Sequence, residues 1–150
     1  MSNMKGRGSA PAPVATAYSR DADWLVEILT RAQDIVSEPA AWTRGALARS
    51  VLRDAVLPTS DVAITWSTSG ALALGLHNVL GPAAAQSDRE RLYDLAIRTL
   101  WTNLPEDHPR TSRMSLDIDG FNDYPGTRYD NIERLFERSV ELARANAIRR

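Results

Sequence analysis

Residues 60–80 read SDVAITWSTSGALALGLHNVL, and this stretch decides the fold class that we predict. Thr59 or Ser60 can cap a helix here, because a hydroxyl oxygen accepts a hydrogen bond from the free N–H groups of a first turn. Gly81-Pro82 then ends the helix. The second half of the stretch is apolar on nearly every side, which is typical of a buried helix. We therefore predict a central helix from Ser60 to Leu80.

Gly70 lies in the middle of this predicted helix. Glycine destabilises a helix by about 1 kcal/mol relative to alanine. We expect a neighbouring helix or aromatic ring to approach closely at Gly70 and to offset that loss. The helical spacing also places Trp66, Gly70 and His77 on one face of the helix.

Three other segments have apolar residues at the helical spacing of three and four. The first covers about residues 22–37. The second covers residues 87–104 and opens with the capping box Ser87-Asp88-Arg89-Glu90. The last covers about residues 127–145 and opens with the similar box Thr127-Arg128-Tyr129-Asp130. Each segment is therefore predicted to be an amphipathic helix with one face towards the core.

The segment between the first helix and the central helix fits two structures. The apolar residues of 47–55 match a helical stripe better than strict alternation. We therefore predict a turn over residues 39–43 and then a short helix that ends near Ala55. A β-hairpin over Ala46–Leu57 is the alternative.

Residues 105–126 are polar and contain three prolines and two glycines. Such a composition is typical of irregular structure, and a connection this long is often functional when it lies inside a compact domain. We predict an irregular loop here, with a brief extended piece from Ser115 to Ile118.

Together these segments predict a mainly α fold: a single compact domain of four to five helices around the buried central helix. A chain of 150 residues fits one domain of this kind. Residues 1–18 are rich in Gly, Pro, Ala and Ser and contain few large apolar side chains. Because such a segment buries too little surface to offset its ordering entropy, we predict a disordered N-terminal tail over residues 1–18 and an α-helical domain over residues 19–150.

The composition excludes several classes of function. The net charge of −1 gives no indication of nucleic acid or an anionic membrane as a partner. The absence of cysteine excludes disulfides and thiolate catalysis, and two histidines cannot form a multi-histidine zinc site without carboxylates. The sequence shows neither a secretory signal nor a membrane span. We expect a cytoplasmic protein without a cofactor, without membrane association and without a nucleic-acid partner.

Residues 117–123 read DIDGFND and concentrate oxygen ligands, as a calcium loop does. The match to an EF-hand fails, because Phe121 occupies the fifth position and Gly120 comes two residues early. The acidic side chains are better explained as hydrogen-bond acceptors that shape the loop. We predict no metal site.

Five residues form the candidate pocket: Trp42, Trp66, His77, Asn122 and Asp123. Asn122 and Asp123 are predicted to brace the turn before the last helix, because short polar side chains bind nearby backbone N–H groups. In the functional alternative, Asp123 is a general base or a polar contact with a ligand. His77 is expected to be a buried histidine with one hydrogen-bond partner, and a ligand-binding role is the alternative.

Three motifs resemble those of a family of short bacterial and phage proteins known only as a domain of unknown function. They are Trp42-Thr43-Arg44-Gly45-Ala46, Trp66-Ser67-Thr68-Ser69-Gly70-Ala71-Leu72 and Phe121-Asn122-Asp123-Tyr124-Pro125-Gly126-Thr127. The similarity spans about residues 24–145. The family's second motif reads Trp-Cys-x-x-Gly-Ala-Leu, and here Ser67 replaces the cysteine. The third motif lacks a residue that the family has between Gly126 and Thr127.

The resemblance implies a small α-helical fold and no known reaction, cofactor or partner. Since the residues assemble no catalytic pattern, we expect a non-enzymatic accessory or protein-interaction module of bacterial or phage origin, with a protein partner that the sequence does not name. The alternative is a small-molecule binder or enzyme that uses the candidate pocket, so whether the protein is an enzyme stays open. A nucleic-acid binder is the least favoured hypothesis.

Overall fold

The structure is a computed structural model that describes residues 11–148, with side chains from Arg20 onward. The described residues form five α-helices, a 3₁₀ turn and a small antiparallel sheet. The helices are α1 Pro11–Ile35, α2 Thr68–Leu80, α3 Gln86–Thr102, α4 Met114–Asp123 and α5 Tyr129–Ile148. The 3₁₀ turn is Pro39–Ala41, and the strands are β1 Ala48–Arg49, β2 Ala55–Val56 and β3 Thr65–Trp66, in the order β2-β1-β3. The prediction of a mainly α, single compact domain is confirmed.

The core lies between α1, α2 and α5, with α3 and α4 closing it on the remaining sides. Gly75 of α2 faces α1 so closely that a Cβ atom there would lie 3.0 Å from the backbone nitrogen of Ala32 and the carbonyl oxygen of Ile28. The two helices therefore pack backbone against backbone at this point. The largest fully buried apolar side chains are Ile28, Leu29, Leu72, Leu92, Leu100, Ile118, Ile132 and Phe136.

The predicted short helix before Ala55 is wrong, and the β-hairpin alternative is the observed structure. Ala48 pairs with Val56 and Arg49 pairs with Ala55 in an antiparallel register. Arg53 has φ of +73° at the hairpin turn, a conformation that a helix does not allow. The guanidinium of Arg49 donates to the carbonyl oxygen of Arg53 in the turn and to that of Arg44 before β1, so it holds the turn to the segment that precedes the hairpin.

The central helix is shorter than predicted. It begins at Thr68 rather than at Ser60, because Ser67 has extended backbone angles and its side chain accepts from the N–H of Gly70. The residues just before it form β3, which pairs with β1. The close approach at Gly70 is present, but the neighbour is the carbonyl oxygen of Leu47, not a helix or a ring.

The region predicted as an irregular loop contains α4, so neither the loop nor the extended piece at Ser115–Ile118 is observed. Met114, Ile118 and Phe121 follow a helical spacing that places them on the core side of α4. The acidic residues and the glycine between them obscure this spacing in the sequence. The helix matters for function because it carries Asn122 and Asp123 at its C-terminal end.

Two predicted capping boxes are also wrong. Helix α3 starts one residue earlier than its box, after Ala85, which makes no side-chain cap. At α5, the side chain of Asn131 accepts from the N–H of Arg128 at 2.7 Å, one position later than the predicted Asp130. Both helices form nonetheless, since their apolar faces stabilise them.

Helix α1 starts at Pro11, whereas the sequence predicts a start near residue 22. Residues 1–10 of the predicted disordered tail lie outside the described residues, and the backbone of residues 11–18 is helical. The division into a tail over residues 1–18 and a domain over residues 19–150 stays a prediction. Asp21 lies within α1 and forms an ion pair with Arg91 of α3, so it joins the two helices.

Candidate functional site

Asn122 is fully buried at the C-terminal end of α4 and binds two other segments of the chain. Its Oδ1 accepts from the indole Nε1 of Trp42 at 2.7 Å. The same oxygen accepts from the backbone N of Thr68 at 2.9 Å and from its Oγ1 at 2.8 Å. Its Nδ2 donates to the carbonyl oxygen of Thr43 at 3.0 Å and to Oδ1 of Asp123 at 3.0 Å.

These five contacts use the full hydrogen-bonding capacity of the Asn122 amide, which has two donors and one acceptor oxygen. The contact with Thr68 satisfies a free N–H at the start of α2, where Ser67 satisfies that of Gly70. Asn122 therefore holds the start of α2 and the segment of Trp42 against the end of α4.

The two tryptophans of the candidate pocket lie on neighbouring extended segments. Trp42 and Trp66 form a parallel bridge, in which the N–H of Thr43 donates to the carbonyl oxygen of Trp66 at 3.0 Å. The indole of Trp66 donates to the carbonyl oxygen of Pro58 at 2.9 Å, so it does not share the Asn122 contact of Trp42. Both indole N–H groups have partners within the fold.

Asp123 is exposed, although it belongs to the same cluster. Its Oδ1 accepts from the backbone N of Gly45 at 2.9 Å, as well as from Asn122. Gly45 has φ of +78°, a conformation that glycine adopts without strain. One oxygen of Asp123 therefore fixes the chain after Trp42, while the carboxylate remains accessible to solvent.

Asp119 lies one turn earlier on α4 and was not a predicted site residue. Its Oδ1 accepts from the hydroxyl of Ser69 at 2.7 Å. Burial raises the pKa of Asp119, the hydrogen bond from Ser69 opposes that rise, and the negative charge of Asp123 adds to it. The net pKa is above the ordinary value, because the half-buried carboxylate lies next to a second one.

His77 lies apart from the other four predicted residues. It is exposed near the C-terminal end of α2, nine residues beyond Thr68, which corresponds to about 13 Å along a helix. The expectation that His77 is buried is wrong. The structure thus brings together Trp42, Trp66, Asn122 and Asp123 and leaves His77 outside the cluster.

The three segments that meet at Asn122 are also the three motifs of the sequence. A family model described as a family of unknown function, DUF6197, matches residues 22–142. The chain belongs to DUF6197. No curated protein and no solved structure matches it. The match extends from α1 into α5 and so includes the whole Asn122 cluster. The cysteine of the resembled motif has no counterpart in this DUF6197 chain, where Ser67 is the cap of α2.

A second buried polar residue of the DUF6197 domain is Asp117, which sequence reasoning assigned to a loop. Its carboxylate accepts from the indole of Trp101 at 2.8 Å and from the N–H and hydroxyl of Thr111, each at 2.8 Å. Burial acts to raise the pKa of Asp117, but the hydrogen bonds from Trp101 and Thr111 outweigh it and lower the pKa below its ordinary value. Among the residues that the structure describes, no group of three or more His, Asp or Glu could hold a metal ion.

The DUF6197 domain exposes a group of large apolar side chains around its sheet. Six of them lie within residues 47–64 and are 45–78% exposed: Leu47, Val51, Leu52, Leu57, Val62 and Ile64. We call these six residues the hairpin surface. Sequence reasoning missed it because 47–55 was predicted to be a helix with its apolar stripe in the core. Within the described residues, no helix is long and apolar enough to cross a membrane.

Proposed function

We propose that this protein is a non-enzymatic accessory protein of bacterial or phage origin that acts in the cytoplasm and binds another protein through the hairpin surface. One observation carries the proposal: six large apolar side chains remain exposed within 18 residues of chain, around a sheet of only three short strands. Clustered exposed apolar residues are typical of protein–protein interaction sites, whereas isolated ones are common on any surface.

The hairpin that carries these side chains is held firmly. Ser50 donates to the carbonyl oxygen of Asp54, and Ile64 donates to that of Arg49, both at 2.9 Å. Arg49 adds side-chain hydrogen bonds to the turn and to the segment before β1. Because this surface is already ordered, binding of a partner would cost little conformational entropy of the hairpin.

The structural roles of the polar side chains in the three motifs also favour a non-enzymatic function. Asn122 is saturated by structural hydrogen bonds, and the indoles of Trp42 and Trp66 both have partners. A buried and saturated amide such as that of Asn122 leaves no polar atom free to bind a ligand.

The test combines crosslinking with a matched pair of variants. A photoreactive residue at position 52 is used to capture the partner in cells, and the partner is then purified and titrated. We expect Leu52→Ser with Leu57→Ser to weaken binding at least tenfold, because each buried leucine contributes about 1.5–3 kcal/mol. Leu116→Ser is the control, since Leu116 is 55% exposed on α4, outside the hairpin surface.

Four outcomes contradict the proposal. Equal weakening by Leu116→Ser shows a non-specific effect, and unchanged binding by the double variant places the interface elsewhere. Concentration-dependent dimerisation that the double variant abolishes identifies a second copy of the chain as the occupant. Turnover in a broad substrate screen, lost in folded Asp123→Ala protein, overturns the non-enzymatic role itself.

The alternative is a small-molecule binder or enzyme that uses the four predicted pocket residues that lie together, Trp42, Trp66, Asn122 and Asp123. What supports it is the accessible carboxylate of Asp123 beside Asp119, whose pKa is raised. Carboxylates with a shifted pKa are frequent in active sites. Ligand-induced NMR shifts at Asp123 that Asp123→Asn abolishes, with an unchanged melting temperature, would favour this alternative.

A further inference from the structure

A separate groove lies between the loop after α3, the end of α4 and the first half of α5. It has a volume of about 800 Å³, and its walls include Pro105, His108, Phe121, Tyr124, Arg134 and Arg138. This volume lies within the range of about 300–1,000 Å³ that is typical of small-molecule sites. None of its lining residues belongs to the hairpin surface, so it could act independently of the proposed function.

The floor of the groove is apolar and its loop wall is fixed. Phe121 and Leu135 are both buried beneath it. The ring of His108 packs edge-on against Phe121 with 5.3 Å between centroids, and its Nε2 lies 3.2 Å from the carbonyl oxygen of Asp117. Arg110 donates to the carbonyl oxygen of Leu104 at 2.9 Å and ties the loop to α3.

Two arginines form the wall on α5. Arg134 and Arg138 are four residues apart, so they lie on the same side of the helix one turn from each other. Both are exposed. In the described part of the chain, neither Arg134 nor Arg138 forms an ion pair, since the two ion pairs there both involve Arg91. Neither arginine side chain has a hydrogen-bond partner there either.

Two carboxylates form the wall on the loop. Glu106 and Asp107 line the same groove and are exposed, and they too make no ion pair within residues 20–148. Opposite charges thus line one groove without any contact closer than 4 Å between them. Exposed charges that are several ångströms apart attract each other weakly in water, because solvent and salt screen them.

We propose that this groove binds a short apolar peptide with both termini free, of two or three residues. Its carboxylate would bind Arg134 and Arg138, and its ammonium group would bind Glu106 and Asp107. Its side chains would cover Phe121 and the rest of the apolar floor. An extended chain of two or three residues spans about 7–11 Å, so its two charged termini can bind separate walls, whereas a free amino acid carries both charged groups on one carbon.

The experiment uses NMR titration and calorimetry of the whole protein with the dipeptide leucyl-phenylalanine as the probe. We expect saturable binding with shifts at Phe121 and Leu135. Amidation of the probe's carboxylate or acetylation of its amine should each weaken binding about tenfold or more, because a hydrogen bond to a charged group contributes about 1.5–3 kcal/mol. These two comparisons need no protein variant.

Variants then assign each terminus to its wall. The double variant Arg134→Gln, Arg138→Gln should bind the probe with a free carboxylate and the amidated probe equally well. It should still prefer the probe with a free amine over the acetylated probe. Glu106→Gln with Asp107→Asn should do the converse. Arg98→Gln, on the exposed side of α3 outside the groove, is the control and should change neither preference.

Several results would overturn the assignment. The first is the absence of NMR shifts at a probe concentration of about 10 mM. The second is equal binding of the blocked and the free probes. The third is that both double variants keep the preferences for the free termini. Equally tight binding of free leucine or phenylalanine overturns the peptide in favour of a single amino acid. The Leu52→Ser, Leu57→Ser protein should bind the probe as the wild type does, which separates this site from the hairpin surface.

Discussion

The indole Nε1 of Trp42 donates to Oδ1 of Asn122 at 2.7 Å, which joins residues that lie 80 positions apart in the sequence. This bond anchors the segment after the 3₁₀ turn on α4. The same oxygen holds the N–H of Thr68 at the start of α2. The contact therefore links two of the three motifs directly, and the start of α2 lies between them.

Asn122→Ala should destabilise the fold more than an ordinary cap substitution does. It leaves the indole of Trp42, the N–H of Thr68 and the carbonyl of Thr43 without partners in a buried place. An unsatisfied buried group costs about 1–3 kcal/mol, so we expect a loss of at least about 2 kcal/mol in the free energy of unfolding. Urea denaturation measures it. A loss below about 0.5 kcal/mol would show that water replaces the amide.

Asp123→Ala is expected to have a smaller effect. The substitution removes the bond to the N–H of Gly45, but this contact is exposed and water can replace it. We expect a loss of about 0.5–1.5 kcal/mol, the usual net value of one hydrogen bond. Urea denaturation of both variants compares their losses in the free energy of unfolding. A larger loss for Asp123→Ala would contradict the assignment of Asn122 as the main tie.

The sequence predicts the helices whose apolar faces lie in the core, and fails where exposed apolar residues imitate that pattern. Helices α2, α3 and α5 follow from periodicity, since their stripes are buried. In the hairpin, Val51 and Leu52 have helical spacing and yet face solvent. Periodicity reports where apolar residues recur, and it cannot report whether anything covers them.

The candidate site could be predicted in part for a related reason. Asn122 was a candidate because of its turn-like neighbours, but its partners lie 54 and more positions away in the sequence. Such contacts depend on how α2 and α4 pack, which no local pattern specifies. His77 was placed with the site by its helical face alone, and the nine residues that separate it from Thr68 along α2 leave it beyond reach.

Gly70→Ala should destabilise the protein although alanine favours helices. A Cβ atom at this position would lie 1.8 Å from the carbonyl oxygen of Leu47, so the backbone of β1 or α2 must shift. We expect a loss of about 1–3 kcal/mol, as is typical of overpacking. Gly120→Ala is the matched control, because it also lies in a helix and has no neighbouring atom within 4 Å.

The control variant is expected to change the stability in the opposite direction. Alanine at position 120 should stabilise α4 by about 0.5–1 kcal/mol through helix propensity. Thermal and urea unfolding of both variants give the comparison. If Gly70→Ala gains stability as Gly120→Ala does, the tight contact with Leu47 does not exist in solution.

Asp117 should make the protein less stable in acid. Its pKa is lowered in the folded state, so the unfolded chain takes up the proton first as the pH falls below about 4. The contribution of Asp117 to stability is therefore present at pH values above its pKa in the unfolded chain. It is lost as the pH falls through its pKa in the folded protein. We expect the stability difference between wild type and Asp117→Asn to shrink from pH 7 to pH 2.5, measured by urea unfolding. A constant difference would contradict an ionised Asp117 in the fold.

Asp119 should show the opposite pH dependence. Its pKa is raised in the folded state, so the folded protein binds the proton more tightly than the unfolded chain does. Its contribution is greatest at acidic pH and is lost as the pH rises through the folded pKa. Asn at this position keeps an oxygen for the hydroxyl of Ser69 and carries no charge. We therefore expect Asp119→Asn to be more stable than wild type at pH 7 and the gain to vanish in acid. Asp61→Asn, an exposed control outside the helices, should leave the stability unchanged at both pH values.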